Sequence, residues 1–308
     1  MAVIALRAVL AIQFIGLAIY LVIDIKKNHA AEMRGNKSRY IKNGLIGLVT
    51  DFFDTLGIGC FAPTMFAFQT LKSMPTAEDG SMRDDLVPGT MNIGHCWPVI
   101  TEALLFMDFV EVEPLTLVGL LVAAAVGGIA GAGWVSKWSV NTVRYALSVC
   151  LLGTAVIVIM RQFKLGPYAG SEDAVLLGLH GAKLIIALAL NFLFGVLMNL
   201  GFGLYAPCMA MLLVLGMDIG ACFPIMMGST AIQMPFSSVV FIKQSKYDPI
   251  ATVMLGICGI IGVLIAYFLV KSMDTTLLLY LVICVMIYTA ITYFNAARKS
   301  TKAAKAAK

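Results

Sequence analysis

The sequence predicts an all-α polytopic membrane protein with two pseudo-symmetric repeats of four segments and one extra N-terminal helix. Of its 308 residues, 60% are hydrophobic and 13% charged, and the mean hydropathy of +0.92 lies outside the range of water-soluble domains. Several apolar runs exceed the roughly 20 residues that cross a bilayer, and they lack the alternation of a lipid-facing β-barrel. The repeat is predicted by a phrase that occurs twice, LGIGCFAP at 56–63 and LGFGLYAP at 200–207.

Residues 1–25 predict a retained transmembrane helix rather than a cleaved signal peptide. Lys26 and Lys27 directly follow the apolar core, where a cleavage site would be small and uncharged. The segment 26–42 holds six Lys or Arg residues against one Glu, so we expect a basic cytoplasmic loop. The N-terminus is therefore predicted to lie outside.

The rest of the chain divides into two sets of four apolar segments. We expect a first repeat over 43–163, a linker over 164–182, a second repeat over 183–297 and a basic cytoplasmic tail over 298–308. The apolar segments lie near 43–71, 87–107, 114–135 and 141–160, and then near 184–216, 219–242, 249–270 and 275–294. The repeated phrases are 144 positions apart, and MNIGHCWPVI at 91–100 pairs with GSTAIQMPFS at 228–237. A repeat of this size is typical of a transporter half.

Charge and cysteine usage exclude several classes of function. The net charge of +5 comes from residues in connecting segments and at the C-terminus, so it bears on topology rather than on nucleic-acid binding. The seven cysteines lie in apolar stretches without CxxC or His-Cys metal spacing. We expect them to be packing residues, with a sulfur-relay role as the alternative for Cys60, Cys96 and Cys208. We predict no metal site and no cofactor, and a lipid bilayer as the surroundings.

Each repeated phrase predicts a break in a membrane helix followed by a new helix start. Gly57 and Gly59 precede Pro63, and Gly201 and Gly203 precede Pro207. Glycine tolerates unusual backbone conformations, and proline suits a first helical turn. A helix N-terminus presents N–H groups to an anion, and no Lys or Arg lies in 43–71 or 184–242. We therefore expect a bound anion to rely on dipoles and hydroxyls; the alternative is that both phrases only kink their helices.

The second segment of each repeat adds polar candidates for substrate binding. Together with the glycines and prolines of the phrases, the predicted substrate-binding residues are Thr64, Asn92, His95, Ser229, Thr230 and Gln233. The alternative for the Ser229 and Thr230 hydroxyls is a hydrogen bond to the backbone of their own helix. The alternative for Gln233 is a hydrogen bond between helices. An ionisable His95 at membrane depth is a functional candidate, with a satisfied core histidine as the alternative.

Three carboxylates are predicted to handle the coupling ion. Asp51 and Asp54 lie near the C-terminal end of the first half-helix, where the helix dipole disfavours a negative charge. Their partners in the second repeat are Gly195 and Met198, so the symmetry does not require acids there. Such an acid binds a cation or retains a proton. Glu102 follows His95 by seven residues on the same helical face.

These features resemble the TauE/SafE family, also called the toluene sulfonate uptake permease family, over residues 43–297. The resemblance rests on the Gly-x-Gly then Ala-Pro phrase, the Gly-rich penultimate segment with its basic end and the four-plus-four plan. It implies a secondary transporter of small sulfur-containing anions, such as sulfite, sulfonates or sulfoacetate-like acids, in the inner (plasma) membrane. The family usually shows a fuller GxGGG, whereas this chain has Cys60-Phe61 and Leu204-Tyr205 there.

Two topologies and two other functions remain open at this point. If 43–71 crosses the membrane once, the repeats are parallel; if it folds back at its glycines, each repeat has three crossings and the repeats are inverted, which the positive-inside rule slightly favours. We expect a carrier rather than an enzyme, proton or sodium coupling, and a cytoplasmic C-terminus. An anion channel is the first alternative, and an intramembrane redox protein using His95, Cys96 and Glu102 is the second. An oligomer is compatible with the sequence.

Overall fold

The computed structural model describes residues 2–34, 37–57, 59–77, 82–107, 111–131, 140–165, 176–198 and 203–306. Over these residues the chain is all-helical and contains no β-strand, which confirms the predicted class. The α-helices are α1 Ala2–Asp24, α2 Lys37–Thr55, α3 Phe61–Leu71, α4 Val87–Phe106, α5 Pro114–Gly131, α6 Val140–Gln162, α7 Gly181–Met198, α8 Tyr205–Val214, α9 Ile219–Lys243, α10 Pro249–Ser272 and α11 Thr275–Ala306. A π-helical turn, Ile25–His29, and a 3-10 turn, Glu32–Arg34, connect α1 to α2.

Six of the helical stretches are long and apolar enough to cross a membrane, so the chain has the composition of a multi-pass membrane protein. They are Val3–His29, Asn141–Met160, Gly181–Met198, Ile219–Lys243, Pro249–Ser272 and Thr276–Arg298. Pro114–Ala130 and Tyr205–Val214 are shorter apolar helices. The helices α2 and α4 are not among the six, and they are the ones that carry the buried charged residues of the candidate site.

Two compact units divide the helices differently from the predicted repeats. The first unit comprises Met1–Asp108 and Thr230–Ser272, and the second comprises Phe109–Ser229 and Met273–Lys308. Each unit therefore contains helices from both predicted repeats. In both units the first helix of one predicted repeat packs along the third segment of the other.

In the first unit this packing joins α2 and α10, which run parallel. A Cβ added at Gly47 would lie 2.7 Å from the Leu255 Cα, and one added at Gly262 would overlap the Leu48 carbonyl oxygen. The absence of a side chain at these positions lets the two backbones approach closely, as in other membrane helix pairs.

The second unit has the corresponding contact between α5 and α7. A Cβ added at Gly127 would overlap the Phe192 carbonyl oxygen, and one added at Gly195 would overlap the Ala124 carbonyl oxygen. These helices also run parallel, because Thr116 near the start of α5 contacts Leu179 just before α7, and Leu120 further along α5 contacts Asn191 further along α7. Glycines therefore set the spacing of the main helix pair in both units.

The chain folds back after each repeated phrase, as the second of the two topologies requires. The Lys42 ammonium donates to the Leu71 carbonyl at 2.8 Å, so the end of α3 lies beside the beginning of α2. Likewise, the Lys183 ammonium donates to the Leu215 carbonyl at 2.9 Å, which brings the end of α8 to the beginning of α7. The pairs α2–α3 and α7–α8 are therefore helical hairpins.

A partly buried ion pair stabilises the open end of the first hairpin, at which α2 begins and α3 ends. The Arg39 guanidinium donates to the Asp248 carboxylate at 2.6 Å and to the Ser73 carbonyl at 3.1 Å. Asp248 also accepts the Ala251 N–H at 2.8 Å, which caps α10, while its own N–H donates to the Thr90 hydroxyl at 2.8 Å. The beginnings of α2, α4 and α10 and the end of α3 are thus held together.

Some element boundaries differ from those expected from composition. The helix α2 begins at Lys37, inside the predicted basic loop, and α11 continues to Ala306, through most of the predicted tail. Residues 37–42 contain three Lys or Arg residues, and residues 298–306 contain Lys, Arg and Ala; these residue types favour helix even where the segment is polar. The linker is described only over 164–165 and 176–182.

Candidate functional site

The predicted break in the first hairpin is present. The helix α2 ends at Thr55 and α3 begins at Phe61, with Gly57 at φ +94° and Gly59 at φ +84° between them. Glycine adopts this left-handed region without the penalty that a Cβ brings. A Cβ at Gly59 would meet no atom within 4 Å, so open space adjoins the break. Pro63 lies at the third helical position of α3, within its first turn as predicted.

His95 connects the three helical elements around this break. Its Nδ1 lies 2.8 Å from the Asp51 Oδ1 on α2, and its Nε2 lies 2.9 Å from the Thr64 Oγ1 on α3. All three side chains have no exposed surface. Since both ring nitrogens are engaged, the ring orientation of His95 is fixed by both arms of the hairpin.

Asp54 reaches the beginning of α3 from the end of α2. Its carboxylate accepts hydrogen bonds from the backbone N–H and the thiol of Cys60, the residue at the N-cap of α3. Asp54 is 2% exposed and Cys60 is 5% exposed. A carboxylate at this position complements the positive end of the α3 dipole, so Asp54 occupies part of the place that was predicted for an anion.

Two carboxylate oxygens in this cluster have no hydrogen-bond donor among the described residues. They are the Oδ2 atoms of Asp51 and Asp54, both buried. Buried polar atoms without a partner are rare in native proteins, and each calls for an explanation such as a bound proton, water or ion. A Cβ at Gly259 on α10 would overlap the Asp51 Oδ2, so the glycine leaves room on that side.

Glu102 belongs to the same region through Thr55. The Thr55 hydroxyl lies 2.7 Å from the Glu102 Oε1 and 2.9 Å from the Asp51 carbonyl oxygen. Glu102 and Thr55 are fully buried. The three predicted coupling carboxylates and His95 therefore lie along one stretch of α2 and α4.

The cluster has the chemistry of a proton or cation site. The His95 Nδ1 and Asp51 Oδ1 are both acceptors when deprotonated, so their 2.8 Å contact requires a shared proton or a cation. A buried carboxylate without such compensation is strongly disfavoured, the more so at membrane depth. Asp51, Cys60 and His95 could also hold a metal ion, since one ligand atom from each lies within 4.8 Å of the others.

The described residues of the second hairpin also contain a break, with different chemistry. Gly203 and Leu204 lie outside helix before α8 begins at Tyr205, and Pro207 lies at the third helical position of α8. The helix α7 is described as far as Met198. The N-cap residue Leu204 provides no side-chain hydrogen bond to α8. The Gly203 N–H donates to the Tyr293 hydroxyl of α11 at 3.2 Å. Gly201 lies outside the described residues.

The remaining predicted residues lie in polar contacts apart from the His95 cluster. The Asn92 side-chain oxygen accepts from the Ser237 and Ser238 hydroxyls, both at 2.9 Å. In the second unit, Ser229 accepts from the Asn191 amide at 2.9 Å, and the same amide donates to the Leu120 carbonyl at 2.7 Å.

Thr230 and Gln233 are buried on α9, at 5% and 6% exposure. The contact of Ser229 with a neighbouring helix shows that this hydroxyl is not confined to bonding within its own helix.

Sequence reasoning missed several residues of these contacts. Asn191 is a buried polar residue, and every residue of α7 after Lys183 except Asn191 is apolar, a contrast that was available in the sequence. Cys60 is an N-cap residue bonded to Asp54 rather than only a packing residue. Thr55, Tyr293, Ser237 and Ser238 carry no signal in the sequence, because their partners are distant along the chain.

Comparisons with known proteins returned no match among protein-family models, curated proteins or solved structures. The resemblance to the TauE/SafE family therefore stays a prediction from the sequence.

Proposed function

We propose that this chain is a secondary active transporter of small anions that couples transport to a proton or sodium gradient. The observation that carries the proposal is the buried Asp51–His95–Thr64 chain beside Asp54, placed where a membrane hairpin breaks. Ionisable groups at membrane depth are costly and mark ion pathways by default. Because His95 contacts both arms of the hairpin, a change in its charge would alter its contacts with α2 and with α3 at the same time.

The repeat organisation supports alternating access. Leu48 of α2 packs on Gly262, and Phe192 of α7 packs on Gly127 in the same way. Leu48 and Phe192 are 144 residues apart, which is also the distance between the two repeated phrases. If each hairpin enters the membrane and folds back without crossing it, three helices of each repeat cross the membrane. Because three is an odd number, the second repeat is inverted relative to the first. Inverted repeats with discontinuous helices are characteristic of secondary transporters.

The basic residues support a cytoplasmic assignment for the open end of the first hairpin. Arg39 and Lys42 contact that end, and the basic segment 26–42 leads into it. By the positive-inside rule this end is cytoplasmic, which places the N-terminus outside. We propose the plasma membrane as the location.

We assign the anion to the second break and the coupling ion to the first. An anion at the first break would face the buried carboxylates Asp51 and Asp54. The second hairpin has Gly195 and Met198 at the positions of these two acids. Its described polar groups are backbone N–H groups and the Tyr293 hydroxyl, which suit an anion that binds without fixed cations. Sulfite and sulfonates are the proposed substrates because of the sequence resemblance.

Proteoliposome uptake tests the function and the coupling role of Asp54 together. We expect saturable uptake of sulfite or a sulfonate that an imposed proton or sodium gradient drives uphill. Asp54→Asn keeps an oxygen that accepts the Cys60 N–H but removes the titratable charge. The variant should retain substrate exchange between the two sides and lose uphill accumulation. Asp218→Asn is the matched control, since Asp218 caps α9 through the Gly220 N–H and lies in the other unit.

Three outcomes would contradict parts of this proposal. Uphill uptake by Asp54→Asn equal to that of the control would remove Asp54 from the coupling role. A passive conductance without saturation would indicate a channel. A panel of sulfite, sulfonates and carboxylates without any transported member would reject the anion class.

A further inference from the structure

Side chains around the break in the first hairpin offer nitrogen and sulfur donors as well as oxygen. Ions that prefer oxygen ligands do not select such a mixed set of donors. Asp51 offers a carboxylate oxygen, His95 an imidazole nitrogen and Cys60 a sulfur, all within 4.8 Å of one another. The three side chains are at most 5% exposed. Sodium and magnesium prefer oxygen ligands, whereas a mixed thiolate, imidazole and carboxylate set is typical of zinc.

A second carboxylate, that of Asp54, is hydrogen-bonded to Cys60 but does not belong to the group of three. Among the described residues no donor reaches the buried Oδ2 of Asp51 or the buried Oδ2 of Asp54. Buried acceptors without donors are expected where a cation binds. Three protein donors and one water molecule form the tetrahedral shell that zinc takes in open sites.

The surroundings would orient the imidazole for metal binding. The Thr64 Oγ1 lies 2.9 Å from the His95 Nε2 and accepts a hydrogen bond from the Nε2–H when Nδ1 binds the metal. Metal-binding histidines commonly donate their other ring N–H in this way, and removal of such a partner lowers metal affinity about 10- to 100-fold. Gly259 leaves room beside Asp51, where any Cβ would overlap the carboxylate.

We propose that Asp51, Cys60 and His95 form a site for a thiophilic divalent cation of the Zn²⁺ or Cd²⁺ class, with the Asp54 carboxylate beside Cys60 adding negative charge. Occupation of this site blocks transport because the metal takes the place of the coupling ion and fastens both arms of the hairpin. The metal site itself stands on the donor geometry, whereas the block rests on the proposed transport function.

Metal binding is measured first, on the purified full chain in lipid nanodiscs. Titration with Cd²⁺ should give the ultraviolet charge-transfer absorption of a Cd²⁺-thiolate at one ion per chain. Cys60→Ser should abolish this absorption, and Thr64→Val should weaken Cd²⁺ binding about 10- to 100-fold. Cys150→Ser and Cys284→Ser are the matched controls, because both thiols are exposed, and they should bind as the wild type does.

X-ray absorption of the zinc-loaded wild type tests the ligand set without any variant. We expect one sulfur at about 2.3 Å and the remaining ligands nitrogen or oxygen at about 2.0–2.2 Å. An all-oxygen shell, a shell with several sulfurs, or Cd²⁺ absorption that survives in Cys60→Ser would overturn the proposal.

The transport measurement separates the metal site from the proposed function. Zn²⁺ should inhibit gradient-driven uptake by the wild type and by Cys150→Ser, and should inhibit Cys60→Ser at least tenfold less potently. Uptake by the wild type that is insensitive to Zn²⁺ at saturating occupancy would reject the block but leave the metal site. Failure to transport any anion would reject the proposed function, while the absorption measurements would still decide the metal site.

Discussion

The ion pair between Arg39 and Asp248 is the contact whose removal should have the clearest effect on the stability of the protein. Arg39→Met keeps the aliphatic stem but removes the guanidinium that joins Asp248, which caps α10, to the Ser73 carbonyl after α3. The Asp248 side chain is 3% exposed, so its charge would be left buried without its cation. We expect the open end of the first hairpin to loosen and the unfolding midpoint to fall.

The size of this effect follows from burial. Removing one partner of a fully buried ion pair costs about 3–5 kcal/mol. The Arg39 side chain is 24% exposed, so water screens part of the interaction. The Ala251 N–H also continues to stabilise the Asp248 carboxylate. We therefore expect Arg39→Met to lower the free energy of unfolding by roughly 2–3 kcal/mol.

Denaturant unfolding of the purified protein in detergent micelles measures the change. Arg83→Met is the matched control, because Arg83 pairs with Asp85 at 2.7 Å but both side chains are exposed, and exposed pairs contribute little. Arg39→Met/Asp248→Asn should recover part of the loss, since the amide removes the unpaired charge and keeps an oxygen for the cap. If Arg39→Met unfolds at the same midpoint as Arg83→Met, the ion pair does not hold the hairpin.

Two further predictions concern other helix contacts. Burial and the neighbouring Asp24 carboxylate, which accepts from the Tyr247 hydroxyl at 2.5 Å, raise the Tyr247 pKa above its usual value. The stability that this raised pKa provides is present below about pH 10 and is lost as the pH rises further. The difference in unfolding temperature between the wild type and Tyr247→Phe should therefore shrink between about pH 9 and pH 11. Gly195→Ala should destabilise the chain by about 1–3 kcal/mol because its Cβ overlaps the Ala124 carbonyl oxygen. Gly153→Ala, which meets no atom within 4 Å, should be neutral or stabilising; equal effects of the two would refute the packing argument.

The sequence predicted features that depend on local chemistry. Apolar runs gave the helical class, and the doubled glycine-proline phrase gave both breaks, because glycine and proline act on their own backbone. The contact of His95 with Asp51 was not predicted as a pair, although both residues were chosen for ionisable groups at membrane depth. Cys60 was assigned to packing because its role depends on Asp54, which reaches it only after the chain turns at Gly57.

Helix pairing was the part that the sequence could not supply. The predicted repeats rest on an internal sequence similarity, and such a similarity does not say that α2 packs along α10 or α7 along α5. That choice depends on which small residues meet across the helices, as Gly262 meets Leu48 and Gly127 meets Phe192. The same limitation hid Tyr293 and Asn191, whose partners lie in other helices.

The proposed transport cycle depends on the two hairpins having the same scaffold but different chemistry. Glycine contacts at equivalent positions of α2 and α7 give each hairpin the same support, while Asp51 and Asp54 have no acidic counterparts in α7. If both hairpins carried acids, an anion would be repelled from both breaks; if neither did, no group would carry the coupling charge. In the proposed transport cycle, the difference in polar residues between the two predicted repeats therefore lets one break serve the driving ion and the other its substrate.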